Sequence, residues 1–171
     1  TVSDFVAAAR RAAFLGTLQA GYTEFPYLGE VTEQITRQEA LLGVSITGLA
    51  DNPDVLFDPA TLEAGAAEVR RTNDRIAKVI GINPAARLCA LKPEGTGTLT
   101  LGTLAKGVTP WHSKRGILHI RASVLETPFQ FYSSINPHAV RDLAPTDPNA
   151  GNTRVLAFAF DRVSVNLRDL L

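Results

Sequence analysis

An α/β fold with parallel βαβ units is what this sequence predicts, on three observations. Leu41-Leu-Gly-Val-Ser-Ile-Thr47 is apolar and β-branched, is bounded by Gly48, and reads as a buried strand. Asp58-Pro59 supplies a helix N-cap with proline at the first helical position. Leu62, Ala66, Val69, Ile76, Val79 and Ile80 then recur at helical spacing until Gly81 caps the end. The Asn83-Pro84 break follows, and then a second strand, Arg87–Lys92. Strand, long helix, strand is a crossover unit, almost always right-handed with parallel strands.

Around that unit the elements follow in order. Ser3 with Asp4 reads as the N-cap of an opening helix, in which Phe5, Val6, Ala9, Ala12, Ala13 and Leu15 recur up to Gly21. Arg10 and Arg11 fall on its solvated face. Tyr22–Gly29 is a loop by its proline and glycine, with Tyr22, Phe25 and Tyr27 expected to anchor it to a core. Residues 30–40 are polar with Val31 and Ile35 four apart, which predicts a short exposed helix. Past the second strand, Gly107-Val-Thr-Pro-Trp-His112 is a loop carrying the sole tryptophan, and Ile117–Ala122 reads as a strand. Phe129–Tyr132 fits a short strand or a helix start, and Asn136–Val140 a helix start. Ala144–Asn152 is a Pro/Asp/Asn/Gly-rich loop, and Arg154–Phe160 a strongly apolar strand. There is no repeat, low-complexity tract or linker, so residues 1–171 are expected to form a single piece.

Composition excludes several classes. The 171 residues are 45% hydrophobic and 20% charged, as in a globular protein with a real core. Lys plus Arg equals Asp plus Glu at 17 each, so no overall basic field points to nucleic acid. One cysteine and three scattered histidines offer neither an internal disulfide nor metal-ligand spacing. No signal peptide is visible, and no apolar run approaches the ~20 residues of a membrane span. A reducing, cytoplasmic setting is the expectation. The chain has no methionine, and its last residues, Arg168-Asp-Leu-Leu171, read like the beginning of a helix. Both features are expected of a fragment.

The second strand ends in Lys92-Pro-Glu-Gly-Thr-Gly97, a turn that opens onto a further apolar run. Free backbone N–H groups and the positive end of a helix dipole suit an anion, most often phosphate. The carboxyl end of a parallel strand is also where α/β proteins put their ligands. An ordinary strand–turn–helix corner is the plain alternative. Two familiar motifs are excluded: Gly97 to Gly102 has P-loop glycine spacing but Thr103-Leu104 follows, and Gly95-x-Gly97 lacks the third glycine of a dinucleotide fingerprint. Thr96 and Thr98 have hydroxyls to offer a phosphate, and Gly95 and Gly97 permit close backbone approach. Glu94 would repel phosphate if it faced the ligand. It therefore points away, accepts from a ligand hydroxyl, or caps the helix.

Elsewhere little chemistry is visible. Cys89, between Leu88 and Leu91 in an apolar strand, has no basic neighbour or helix N-terminus to activate it and reads as a packed, unreactive thiol. His112 lies in a loop where it can meet a ligand or pack, and His119 and His138 read as structural. No acid–base pair is apparent.

Several segments in order carry a resemblance: Leu41–Asp51, Asn73–Pro84, Ala90-Leu-Lys-Pro-Glu-Gly-Thr96, Gly107–His112, Ile135-Asn-Pro-His138 and the strand Val155–Phe160. Together they resemble the second half of a ribonucleotide reductase catalytic barrel. Phe25-Pro-Tyr-Leu28 and Leu41–Gly48 look most like the adenosylcobalamin-dependent (class II) branch. The resemblance implies part of a ten-stranded α/β barrel that reduces the 2′-carbon of a ribonucleoside di- or triphosphate through a cysteine thiyl radical. It also implies adenosylcobalamin as cofactor, the N-terminal barrel half as partner, and a thioredoxin-type reductant. The family's Lys-Pro-Ser-Gly-Thr turn binds substrate phosphates, and by position this role falls to Pro93, Glu94, Gly95, Thr96 and Gly97, with Thr98 just beyond. Glu94 stands where the family usually has serine. In Arg115-Gly-Ile-Leu-His-Ile-Arg121 the family's basic pair is half lost. The radical cysteine, its Asn and Glu partners and the redox cysteine pair have no counterpart in these residues, and Cys89 matches none of them. No residue here is expected to be catalytic, and the chain alone should be silent. The alternative is a non-catalytic phosphate- or nucleotide-binding α/β module.

Overall fold

The computed structural model describes residues 1–161 and 165–167, and these fall into two compact units: residues 1–112 with 165–167, and residues 113–161. The expected helix at Arg168–Leu171 lies outside the described residues.

In the first unit, helix α1 spans Val2–Ala20 and is capped by Thr1, not Ser3. Thr1 Oγ1 accepts from the Asp4 N–H while Asp4 reaches back to the Thr1 amine, a reciprocal capping box. Ser3 has Val6 three residues on, which cannot return the bond, so the helix begins earlier than predicted. Helix α2 (Glu30–Glu39) is the exposed helix expected. A 3₁₀ turn at Leu49–Asp51 and the short α3 (Pro53–Leu56) lead to α4, Pro59–Ile80. Its ends are those predicted: Asp58 accepts from Ala60 and Thr61 N–H, and Gly81 adopts φ 77°.

Small residues let α1 and α4 approach closely. Ala9, Ala13 and Thr17 are buried on α1, and Gly65, Val69, Asn73 and Ala77 on α4. A Cβ on Gly65 would stand 2.5 Å from the Phe5 ring, so the crossing depends on glycine there. Buried Glu68 receives Arg10 Nε at 2.5 Å and also pairs with Arg71. Leu15, Val79 and Ile80 fit the helical period but lie exposed, because the buried seam is narrower than the apolar stripe in sequence.

The core joins Ala9, Ala13 and Val69 to Leu42 and Leu88, one from each predicted strand. Those strands pair in parallel, as expected, but only at one bridge, Val44 with Cys89. Val44 donates to Leu88 O and accepts from Ala90 N–H, both at 3.0 Å, whereas Leu42 donates to Arg87 O, one residue out of step. That slip keeps the pair from becoming a regular ladder. One face is covered by the helices and the other is open, so Cys89 is exposed and not the packed thiol predicted. The aromatic anchors also differ: Tyr22 and Tyr27 are 78% and 97% exposed, and Phe25 is half-buried. It is Thr23 that is buried in that loop.

The second unit is a three-stranded antiparallel sheet of order β1-β3-β2, with β1 Arg115–Ser123, β2 Val140–Asp142 and β3 Thr153–Asp161. Leu118 pairs with Phe158 and Val140 with Leu156. The residues 129–132, ambiguous in sequence, lie in helix α6 (Thr127–Ile135), started by Pro128 in its first turn. The predicted helix start after Asn136 is a 3₁₀ turn, Pro137–Ala139. Phe129 and Leu156 are buried, and the Tyr132 ring packs against Phe158 in a tilted pair with centroids 5.0 Å apart. The fold is therefore mixed α/β, with parallel pairing confined to one bridge and the named sheet antiparallel among the described residues.

Candidate functional site

The turn after the second strand is positioned by backbone contacts from two distant loops. Gly107, at φ 60°, lies directly beneath it: a Cβ there would come within 2.2 Å of Lys92 O and 2.8 Å of Glu94 N. Gly107 N–H donates to Thr47 Oγ1 (3.1 Å), and Gly107 O accepts from Leu49 N–H (3.2 Å). Asp51 fastens the same loop by accepting from Leu104 and Ala105 N–H at 2.7 and 3.1 Å. The Thr47 hydroxyl also lies 3.1 Å from Thr98 Oγ1 and 3.3 Å from Thr103 Oγ1.

Beyond the turn the chain enters helix α5, Thr96–Leu101, as the sequence predicted. Thr98 is 1% exposed and donates its hydroxyl to Glu94 O at 3.0 Å. It holds the turn together from below. Pro93, Gly95 and Thr96 are exposed along its rim. Glu94 and Gly97 are half-buried and touch each other.

Of the three orientations open to Glu94, the structure takes the helix cap. Its Oε1 accepts from Gly97 N–H at 2.9 Å, and its Oε2 pairs with Lys92 Nζ at 2.8 Å. The carboxylate lies where a side chain at position 97 would stand, since a Cβ on Gly97 would meet Glu94 Cδ at 2.9 Å. The turn thus forms a cradle with an anion already in it, and the anion is the chain's own.

The Lys92 ammonium, and after it the Gly97 N–H, hold the Glu94 carboxyl below its ordinary value of 4.5. A carboxyl lowered in the folded state contributes stability that is complete above 4.5 and is lost as pH falls through the lower native value. An NMR titration at Glu94 Cδ should therefore give a midpoint below 4.5, with the Gly97 amide signal moving alongside. A midpoint at or above that value would mean the carboxylate does not hold this position in solution.

His119 and His138 are exposed in the second unit. His112 helps line a small cavity of about 130 Å³ with Lys106, Thr109, Pro110 and Trp111, whose indole donates to Leu104 O at 2.6 Å. Thr47, Asp51 and Thr103, which support the turn, were not singled out from the sequence. They lie far from it in the chain or past the helix, and the motif-like signals all sit within residues 92–98.

No protein-family model matches this chain, and no curated protein matches it. Among solved structures, a crystal structure of a B12-dependent (class II) ribonucleotide reductase is similar, with a TM-score of 0.62 and 18% identity. The likeness covers 89% of this chain and 25% of that one, so the chain spans about a quarter of the protein it matches. At that identity the likeness is one of fold: the chain has a ribonucleotide-reductase-like α/β fold.

Proposed function

We propose that this chain is a segment of the catalytic barrel of a ribonucleotide reductase and that its turn Pro93–Thr98 holds the phosphates of a ribonucleotide substrate. The observation that supports the second part is the Glu94 carboxylate held on Gly97 N–H, a backbone donor of the kind a phosphate oxygen uses. The fold likeness to a class II enzyme supports the first part. In this reading Gly95 and Thr96 supply exposed donors, Gly97 its half-buried N–H, Pro93 shapes the entry, and buried Thr98 holds the backbone of the turn in place.

The reaction proposed for the whole enzyme is conversion of ribonucleotides to 2′-deoxyribonucleotides by thiyl-radical chemistry. Adenosylcobalamin, when bound, supplies the radical. Among the described residues no group of His, Cys, Asp or Glu is arranged to hold a metal, so no residue here is assigned to that cofactor. This segment's contribution is to bind and orient the substrate, and by itself it is proposed to be silent. The N-terminal barrel half and a thioredoxin-type reductant are its proposed partners, in the cytoplasm. No helix among the described residues is long and apolar enough to cross a membrane.

Combining this chain with a polypeptide carrying the upstream barrel half should give ribonucleotide reduction dependent on adenosylcobalamin. Gly97→Trp, which fills the cradle, should lower that activity at least about 100-fold, as expected when reacting groups lose their orientation. Dependence on a di-iron subunit would move the protein to class I. Normal reduction by the Gly97→Trp enzyme would remove the phosphate assignment. Nucleotide binding with no reduction under any pairing would favour the non-catalytic module.

A further inference from the structure

We infer that the chain associates with a second copy of itself, helix α2 of one molecule lying on the open face of the β1-β3-β2 sheet of the other.

Two surfaces carry it, each apolar where a solvated surface would be polar. On α2 the sides are inverted. Thr32, Glu33 and Thr36 are half-buried, whereas Val31 and Ile35, one turn apart, are 70% and 55% exposed. A surface helix ordinarily turns its apolar stripe inward, so this stripe is left for a partner. On the sheet, one face is covered: the Tyr132 ring of α6 packs against Phe158, and Leu156 is buried. Side chains alternate along a strand, so Val155, Ala157 and Ala159 of β3 stand on the opposite face. Ile117 of β1 pairs with Ala159 there and is half exposed. An antiparallel sheet that met water on that face would carry polar residues down its middle strand. Small side chains instead leave room for a helix to come close.

Charge selects what covers the two surfaces. Arg121 of β1 and Arg141 of β2 flank Val155, and Arg115 stands past Ala159, opposite Asp161. Arg115 and Arg121 pair with Asp161 and Asp147, while Arg141 is exposed with no ion pair among the described residues. On α2, Glu30 and Glu39 are the first and last residues, and neither has an ion pair among the described residues. Acid, apolar stripe, acid on the helix thus matches cation, apolar strip, cation on the sheet. The two acids lie about 14 Å apart at the helical rise and the cation rows about 20 Å apart at the strand rise, a difference that arginine side chains span. Two α2 helices face to face would oppose acids, and two sheets would oppose arginines, so unlike surfaces meet. A single ten-residue helix buries less than a standard interface, so the expected Kd is weak, about 100 μM.

Sedimentation equilibrium of the whole chain from about 10 μM to about 1 mM brackets that value. Val31→Glu with Ile35→Glu spoils the helix surface, and Ile117→Glu with Arg141→Glu the sheet surface. All four positions are exposed, and circular dichroism reports folding. Wild type should associate, more weakly at high salt, and each double variant at least about tenfold more weakly still. An equimolar mixture of the two variants should associate again, because one supplies an intact helix and the other an intact sheet. In wild type the amide resonances of Val31, Ile35, Ala157 and Ala159 should move together as concentration rises, a readout that needs no variant. A wild-type chain that stays monomeric throughout overturns the proposal. So does association that survives in either folded variant, or a mixture of folded variants that stays monomeric, which assigns the contact to like surfaces. If a variant fails to fold, the amide resonances decide, and movement on only one of the two surfaces overturns the pairing.

Discussion

Gly107→Ala is expected to cost the 1–112 unit about 3 kcal/mol, a large loss for a single methyl group. Two effects add. At φ 60° the new residue sits in the left-handed region, at about 1–2 kcal/mol for a residue with a Cβ. The Cβ also lands 2.2 Å from Lys92 O and 2.8 Å from Glu94 N. Both atoms are backbone, so no rotamer change relieves the overlap and the turn must lift away. Lifting it strains the bond from Gly107 N–H to Thr47 Oγ1 and that from Leu49 N–H to Gly107 O. Urea unfolding measures the loss, and the Gly97 and Glu94 resonances should shift together as the cradle moves. A loss below about 1 kcal/mol would mean the turn and the loop are not packed as described. Gly107→Val should be worse, since a β-branched residue tolerates positive φ least.

How much of this was legible beforehand depends on how local the cause is. The ends of α4 are set by Asp58, Pro59 and Gly81, all adjacent in sequence, and were read correctly. The start of α1 was misread although Thr1 and Asp4 carried the signal at the right spacing. A serine followed by an acidic residue looks like a cap until the reciprocal partner three residues on is checked. The strand at 41–47 reads as buried from its apolar content, yet only Leu42 is buried there and Leu41 is 56% exposed, and apolar content says nothing of pairing. Its one-residue slip against 87–90 comes from how the two segments meet, which composition does not encode. Cys89 follows from the same point: an apolar run reads as covered on both faces, while here the helices cover only the side of Leu88. At the candidate site, residues 92–98 stand out in the sequence because glycine, proline and hydroxyl residues cluster there. Thr47 and Asp51 escaped because their bonds span 51 and 53 residues to Thr98 and Leu104, beyond any spacing rule. For Glu94, local chemistry reduced the choice to three orientations, and the nearness of Gly97 N–H and Lys92 selects one.

Asn73→Ala should destabilise the same unit by about 2–4 kcal/mol, for a reason that links α1, α4 and the strand feeding the turn. Asn73 is 1% exposed. Its Nδ2 donates to Thr17 Oγ1 on α1 at 3.0 Å, and its Oδ1 accepts from Ala85 N–H, just before the strand at 87–90, at 2.9 Å. Alanine leaves the Ala85 N–H without its acceptor and opens a void at the helix crossing. The Thr17 hydroxyl is less affected, because it still donates to Ala13 O at 2.7 Å. Most of the cost should therefore come from Ala85 and the void. Thr17→Val should cost less than Asn73→Ala, and the double variant less than the sum, since the two side chains share a bond. Asn73→Asp separates the terms further: it keeps an acceptor for Ala85 but buries a charge against Thr17, so its loss should appear at neutral pH and shrink in acid as the carboxyl protonates. Urea unfolding of the four variants, with hydrogen exchange at the Ala85 amide, tests the ordering. If Asn73→Ala costs under about 1 kcal/mol and Ala85 stays protected, Asn73 does not pin the strand. If Ala85 exchanges freely, the lost anchor lies only a few residues ahead of Lys92, and the turn at 92–98 should loosen with it.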